Sequence, residues 1–280
     1  MNVEGWKYYN HAAIPTTLPH EDVNLQPIID GTIWKTGNGK TPLFARYTTE
    51  FDCGYETNWW YVIKDTPFDI STLKAKRRYE INRGVKNFNV CEIDARQYKE
   101  ELYEIVKKAW ETYPKKYRPQ LVYSDFIQSI EEWNYYKVYG AFYQENNKLC
   151  GYATLVKKND YIDFCMLKAI PDYERLGVNV AICNKIVNDH NNFFKNGGYL
   201  CDGARNVVHE TAFQEYLIKY FEFRKAYCKL EIVYNPKIKW LIKLLYPFRK
   251  MIANFDNIKF FSQISAVLKM EEISQMEIVK

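Results

Sequence analysis

The stretch 161-YIDFCMLKAIPDYERLGVNVAICNKIV-187 decides how the chain is read. Its first nine residues are largely apolar and aromatic, and Pro171 stops them, which predicts a strand over 161–169. Gly177 then opens a helix, because Val178, Ala181, Ile182 and Ile186 recur on one face. That helix is expected to run from 177 to 195, where Gly197-Gly198 ends it. Upstream, 136–143 and 149–156 read as strands joined by a turn at Glu145-Asn146-Asn147-Lys148, and Lys158-Asn159-Asp160 turns the chain into the quoted strand. Three antiparallel strands in a meander, then a crossover helix, then a further strand at 199–202 imply a mixed sheet with helices on its faces.

Elements further out extend the same pattern. A strand is expected at 59–63, followed by a basic helix for which Asp69 or Ser71 is the cap and Gly84 the terminator. Residues 88–93 alternate as a strand. Leu102, Ile105, Val106, Ala109, Trp110 and Tyr113 keep a 3.6-residue period across 96–113, and a shorter helix follows Ser124. A helix over 209–221 and a strand over 226–234 close the series. Residues 1–56 are rich in Pro, Thr, Gly and Asn, with short strands expected near 32–35 and 43–47. The chain thus divides into an irregular N-terminal arm (1–58), a main α/β (α+β) domain (59–235) and a basic helical tail (236–280).

Bulk properties narrow the function classes. A net charge of +5 over 280 residues is mild for a general nucleic-acid binder, so local clusters matter more than the total. Seven cysteines without a CxxC pair read as reduced and mostly buried, Cys165 among them, and four scattered histidines suggest no metal site. The N-terminus lacks a signal-peptide core and no run of about 18 uncharged apolar residues occurs. A cytoplasmic location without a membrane span is therefore expected.

The element order, with a helix launched directly after the third meander strand, resembles the GNAT acyl-CoA N-acyltransferase fold. In that family the phosphate loop follows a Q/R-x-x-G-x-G/A pattern, and the matching stretch here is Glu174-Arg175-Leu176-Gly177-Val178-Asn179. Gly177 holds the central position, while Glu174 and Asn179 depart from the pattern. A second resemblance rests on Arg78-Tyr79-Glu80-Ile81-Asn82-Arg83 followed by Gly84-Val85, and on the helix and strand of 209–227. These are similar to segments of the Fem-type branch, the GNAT-like aminoacyl transferases of peptidoglycan bridges and their relatives in polysaccharide gene clusters. Together the resemblances cover about 59–234. A complete Fem enzyme carries two GNAT-like units, whereas the sequence leaves room for one unit and an arm.

The resemblance implies direct attack of an amine on an acyl-CoA thioester, acetyl-CoA first, with no metal and no covalent enzyme intermediate. Residues Arg175, Leu176, Gly177, Val178 and Asn179 would then hold the CoA phosphates, since the first turn of a helix offers free N–H groups and a positive dipole end. Arg77, Arg78, Arg83 and Arg205 are candidates for an anion platform; the rival reading of the first three is a solvated helix face. The segment past the 199–202 strand carries the densest chemistry: Asp202 and His209 as candidate bases, Asn206 as a donor. Tyr216 and Tyr220 are candidate acids for the leaving thiolate.

The tail combines Lys237, Lys239, Lys243, Arg249 and Lys250 with Trp240, Leu241, Leu244, Leu245, Phe248 and Ile252, and 236–255 holds no acid. Such a stretch either packs as a helical pair or lies on an anionic membrane surface. The function expected is acyl transfer to an amine, on an amino sugar or amino acid in cell-envelope polysaccharide synthesis. The alternatives are a Fem-like aminoacyl transferase using charged tRNA, which is the one route to a nucleic-acid partner, and a catalytically silent GNAT-like binding protein at the membrane surface.

Overall fold

The structure is a computed structural model and describes residues 3–35, 41–113, 118–207, 212–255 and 258–275. Two compact units emerge: Met1–Val62 with Ala204–Ala212 and Lys225–Lys280, and Ile63–Gly203 with Phe213–Arg224. In chain order the elements are β1 (Trp6–Tyr9), β2 (Ala12–Pro15), α1 (Gln26–Ile29), β3 (Phe44–Thr49), β4 (Trp59–Lys64), α2 (Ala75–Asn87), β5 (Phe88–Ile93), α3 (Lys99–Glu111) and α4 (Tyr123–Glu131). They continue as β6 (Tyr136–Tyr143), β7 (Lys148–Lys157), β8 (Tyr161–Ala169), α5 (Pro171–Glu174), α6 (Val178–Asp189), α7 (Asn191–Lys195), β9 (Tyr199–Ala204), α8 (Ala212–Phe221) and β10 (Arg224–Tyr234). The last helices are α9 (Pro236–Leu245), α10 (Arg249–Ala253) and α11 (Lys259–Gln275).

In the second unit, β5 to β8 pair antiparallel in sequence order, and β9 joins β8 in parallel after the α5–α7 crossover. Strand β8 spans the residues its pattern predicts. Alternation of β7 decides the two faces. Tyr152 points to a core with Leu102, Ile105, Val106 and Ile130 of α3 and α4, while Gly151 faces the other way. There an added Cβ would meet Val178 Cγ2 at 2.9 Å and Ile182 Cδ1 at 3.2 Å, so α6 sits directly on the strand.

Helix α2 packs on α6 through a second close approach. A Cβ on Gly84 would lie 2.6 Å from Val180 Cγ1 and 2.7 Å from the Gly177 carbonyl oxygen. Gly84 is therefore an interior contact residue of α2 and not its terminator; the need for backbone approach outweighs the usual helix cost of glycine. Asp69 does cap, but it caps the 3-10 turn Ile70–Thr72, accepting from the Ser71 N–H at 2.8 Å. The helix expected over 177–195 breaks at His190 into α6 and α7.

In the first unit, β1 and β2 form an antiparallel hairpin, β2 pairs β3 in parallel, and β3 pairs β10 antiparallel. Phe44, Leu230, Met270 and Ile273 pack on one face, and Trp6, Ala13, Ala45 and Ile33 on the other. Residues 32–34 form a 3-10 turn in place of the expected strand, because Gly31 at φ +74° and the Asp30 carboxylate, bonded to the Thr32 N–H at 2.9 Å, close a turn there.

Candidate active site

The candidate site begins with a parting of strands. β8 and β9 pair only at Tyr161–Tyr199, Ile162–Leu200 and Asp163–Cys201. Beyond that point β8 runs on to Ala169, and among the described residues no strand pairs with its β9 side past the Asp163–Cys201 position. A register shift accompanies the split: Thr154 faces Met166 and Leu155 faces Phe164, which leaves Cys165 as the extra residue of a bulge. Cys165 is exposed, a correction to its reading as a core cysteine. Although the residue keeps exposed surface, the packing around its thiol and the adjacent Asp163 carboxylate push it up to about 12, which leaves little thiolate at neutral pH.

A cleft of about 530 Å³ occupies this opening, wholly within the second unit. Its walls are 164–169 of β8, the end of α3 with Trp110 and Tyr113, Asn179 of α6, Asp202 of β9 and Phe213 of α8. Burial pushes the Asp202 carboxyl up to about 7; the Gln214 side chain, bonding to it, works against this shift, and Asp163 adds to it. A carboxylate that exchanges its proton near pH 7 is matched to general-base work. Lys168 lines the same wall, with its Nζ 3.0 Å from the Tyr113 hydroxyl and over the Tyr113 ring. Sequence reading passed over both; a lysine inside a predicted strand and a tyrosine at a helix end gave no local signal.

The loop before α6 is held from behind. Arg83 donates to the Arg175 carbonyl and Asn87 Nδ2 to the Leu176 carbonyl at 2.9 Å. Gly177 takes φ +95°, and α6 has no side-chain cap. The N–H groups of Val178, Asn179 and Val180 in the first turn lack intrahelical acceptors by helix geometry. Asn179 Oδ1 is buried without a partner among the described residues. An uncapped first turn beside the cleft fits a pyrophosphate or another anionic group, with exposed Glu174 next to Arg175 and the Asp202 carboxyl as opposing charges.

The remaining candidates fall elsewhere. Tyr216 packs against Phe213 and Tyr220, and its hydroxyl is buried without a partner among the described residues; burial first, then Cys183, Tyr220 and Glu80, raise it well above the usual phenol range. The Tyr220 hydroxyl accepts from Arg77 at 2.9 Å, and the Tyr220 ring lies under the same guanidinium. Arg77 also meets Glu80 at 3.3 Å, and Arg78 donates to the Leu73 carbonyl at 2.5 Å. Arg205 and Asn206 belong to the first unit, where Arg205 donates to the Asn58 carbonyl at 2.8 Å and stacks on Trp60. His209 lies outside the described residues. The structure thus brings Asp202 and Asn179 to one cleft.

Comparison with known proteins returns structures alone. No family model matches the chain, and no curated protein matches it by sequence. FemX overlays with a TM-score of 0.53 at 8% identity, over 86% of this chain and 85% of that one. L-PGS from Bacillus licheniformis gives 0.50 at 10% identity, over 97% and 85%. The C-terminal domain of a protein described as a lysylphosphatidylglycerol synthetase from Agrobacterium fabrum gives 0.50 at 13% identity, over 83% and 80%. The fold is GNAT-like. At these identities the likeness speaks for the fold, a mixed and mostly antiparallel sheet with helices on both faces. Among the described residues no cluster of three His, Cys, Asp or Glu is placed to hold a metal, and no helix is long and apolar enough to cross a membrane.

Proposed function

We propose that the cleft transfers an acyl group from an activated ester or thioester to an amine, on an amino sugar or amino acid in cell-envelope polysaccharide synthesis. One observation carries this: Asp202, with its carboxyl near 7, faces the opening between β8 and β9. The amine proton passes to Asp202 as nitrogen attacks the acyl carbon. Backbone N–H groups of β8 that face the opening past the β9 pairing receive the developing oxyanion, where fixed dipoles act with little reorganisation. The carbon–nitrogen bond forms, the carbon–sulfur or carbon–oxygen bond of the donor breaks, and the leaving group takes up a proton.

Acyl-CoA is the first donor in this reading, supported by the uncapped first turn of α6 behind Gly177. Charged tRNA is the second. An overlay on FemX over 86% of this chain and 85% of that one supports keeping this donor beside acyl-CoA.

A transfer assay with labelled acetyl-CoA and, separately, aminoacyl-tRNA against amino-sugar and amino-acid acceptors tests both. Asp202→Asn is expected to lower turnover about a hundredfold or more and to remove the acidic limb near pH 7 from the rate profile. Its effect on stability runs the other way. A raised carboxyl pKa means that its stabilising contribution is whole below about pH 4 and is lost as pH rises through about 7. Asp202→Asn therefore raises the melting temperature at pH 8 and leaves it little changed at pH 4. Full activity in Asp202→Asn, or no transfer from either donor, overturns the proposal.

A further inference from the structure

The tail has two apolar sides, and only one is used. Ile242, Ile252 and Leu268 are buried among Ile238, Leu245, Phe261 and Ile264, so α9, α10 and α11 form a packed cluster. On the other side Trp240 is 65% exposed, Leu244 58%, Phe248 51%, Met251 57%, Phe255 49% and Phe260 64%. Five of these recur every three or four positions from 240 to 255, along α9, the 3-10 turn Tyr246–Phe248, α10 and Phe255 just past it, a stripe of exposed apolar side chains. Soluble surfaces rarely carry so many large apolar side chains together without an occupant.

The charge pattern says which occupant. Lys237, Lys239, Lys243 and Lys250 are exposed within the same stretch, which contains no acid from 236 to 255. Arg249 is excluded from this set because it is bound to Glu272 at 3.1 Å. A second copy of the chain is disfavoured: a two-fold contact sets a patch against itself, which here would place lysine against lysine with no acid to pair. An anionic bilayer answers both features. The apolar stripe enters the boundary of the acyl chains while the lysine stems lie along it and their ammonium groups reach the headgroup phosphates. No described helix is long and apolar enough to cross a bilayer, so the segment would lie on the surface.

We propose that α9, α10 and the start of α11 form a docking face for anionic lipid membranes. The inference stands on exposure and charge and is independent of the Asp202 reading.

Co-sedimentation of the full chain with vesicles of phosphatidylcholine alone, and of phosphatidylcholine mixed with phosphatidylglycerol, tests it at low and high salt. Binding is expected to the mixed vesicles, weakened about tenfold or more by high salt or by omission of the anionic lipid. The triple variant Leu244→Ser, Phe248→Ser, Met251→Ser should abolish binding, and Lys239→Gln, Lys243→Gln, Lys250→Gln should weaken it. Both sets replace exposed side chains, and an unchanged melting curve verifies the fold. Failure to bind the mixed vesicles overturns the proposal, as does equal binding to both vesicle types without salt dependence. A concentration-dependent dimer that the serine variant turns into a monomer, with no vesicle binding, would assign the stripe to a second copy instead.

Discussion

In α2 the arginines turn to protein acceptors; between 236 and 255 the lysines turn to solvent and large apolar side chains go with them. By composition the two stretches look alike, since each sets five or six basic residues against at most one acid. Arg77 holds the Tyr220 hydroxyl and Glu80, Arg78 holds the Leu73 carbonyl, and Arg83 holds the carbonyl of Arg175 in the loop before α6. The three arginines of α2 thus brace the fold, Arg83 by holding the loop beside the cleft, while Lys76 and Lys86 are exposed. Among the described residues, Lys237, Lys239, Lys243 and Lys250 of the tail make no comparable bonds. Local charge density does not distinguish a brace from a docking face; the acceptors in reach of each side chain do.

Substitutions can break this contrast, and the largest effect belongs to the packed side of the tail. Leu268→Ala empties a site with no exposed surface and should cost about 3 kcal/mol in denaturant unfolding. Gly84→Ala comes next. At an ordinary helix position this change gains up to about 1 kcal/mol; here the new Cβ would crowd the Gly177 carbonyl and Val180, and a loss of about 2 kcal/mol is expected. A neutral or stabilising result would deny the close approach of α2 to the loop. Arg77→Met removes a hydrogen bond and the stacking on Tyr220 and should lower stability by about 1 kcal/mol. Lys243→Gln and Leu244→Ser should change it by less than about 0.5 kcal/mol, since neither side chain is packed. A cost for Lys243→Gln as large as that for Arg77→Met would erase the distinction between the stretches.

Gly177 repays the same attention. The sequence makes it a candidate phosphate-loop glycine, and its positive φ and helix-opening position agree with a loop that turns there. Yet a Cβ on it would lie 2.8 Å from the Gly84 Cα, so a bulky replacement would disturb packing whatever the loop binds. Loss of ligand binding in such a variant cannot separate the two roles. Substitution at Asn179, whose Oδ1 is unpartnered, probes the loop without that clash.

Legibility in the sequence followed locality. Strands β6 and β8 lie where their apolar runs and turns put them, because turn chemistry and side-chain alternation act over a few residues. Asp202 was reachable as a polar residue at a strand end before glycine. Its proton affinity was not, since that depends on burial and on Gln214 and Asp163 brought from other elements. Lys168 and Tyr113 joined the site only through folding, and Gly84 was misread because a glycine in a helix and a glycine ending one look identical until the facing backbone is known.

The sequence by itself determined the meander, the crossover helix and the mixed sheet, since hydrophobic period and turn residues are local properties of the chain. Tertiary structure alone decided which charges are braced and which stay free, where β8 and β9 part, and which carboxylate titrates near neutral pH. Those outcomes depend on distance and desolvation between residues far apart in the chain, and neither quantity exists until the chain has folded.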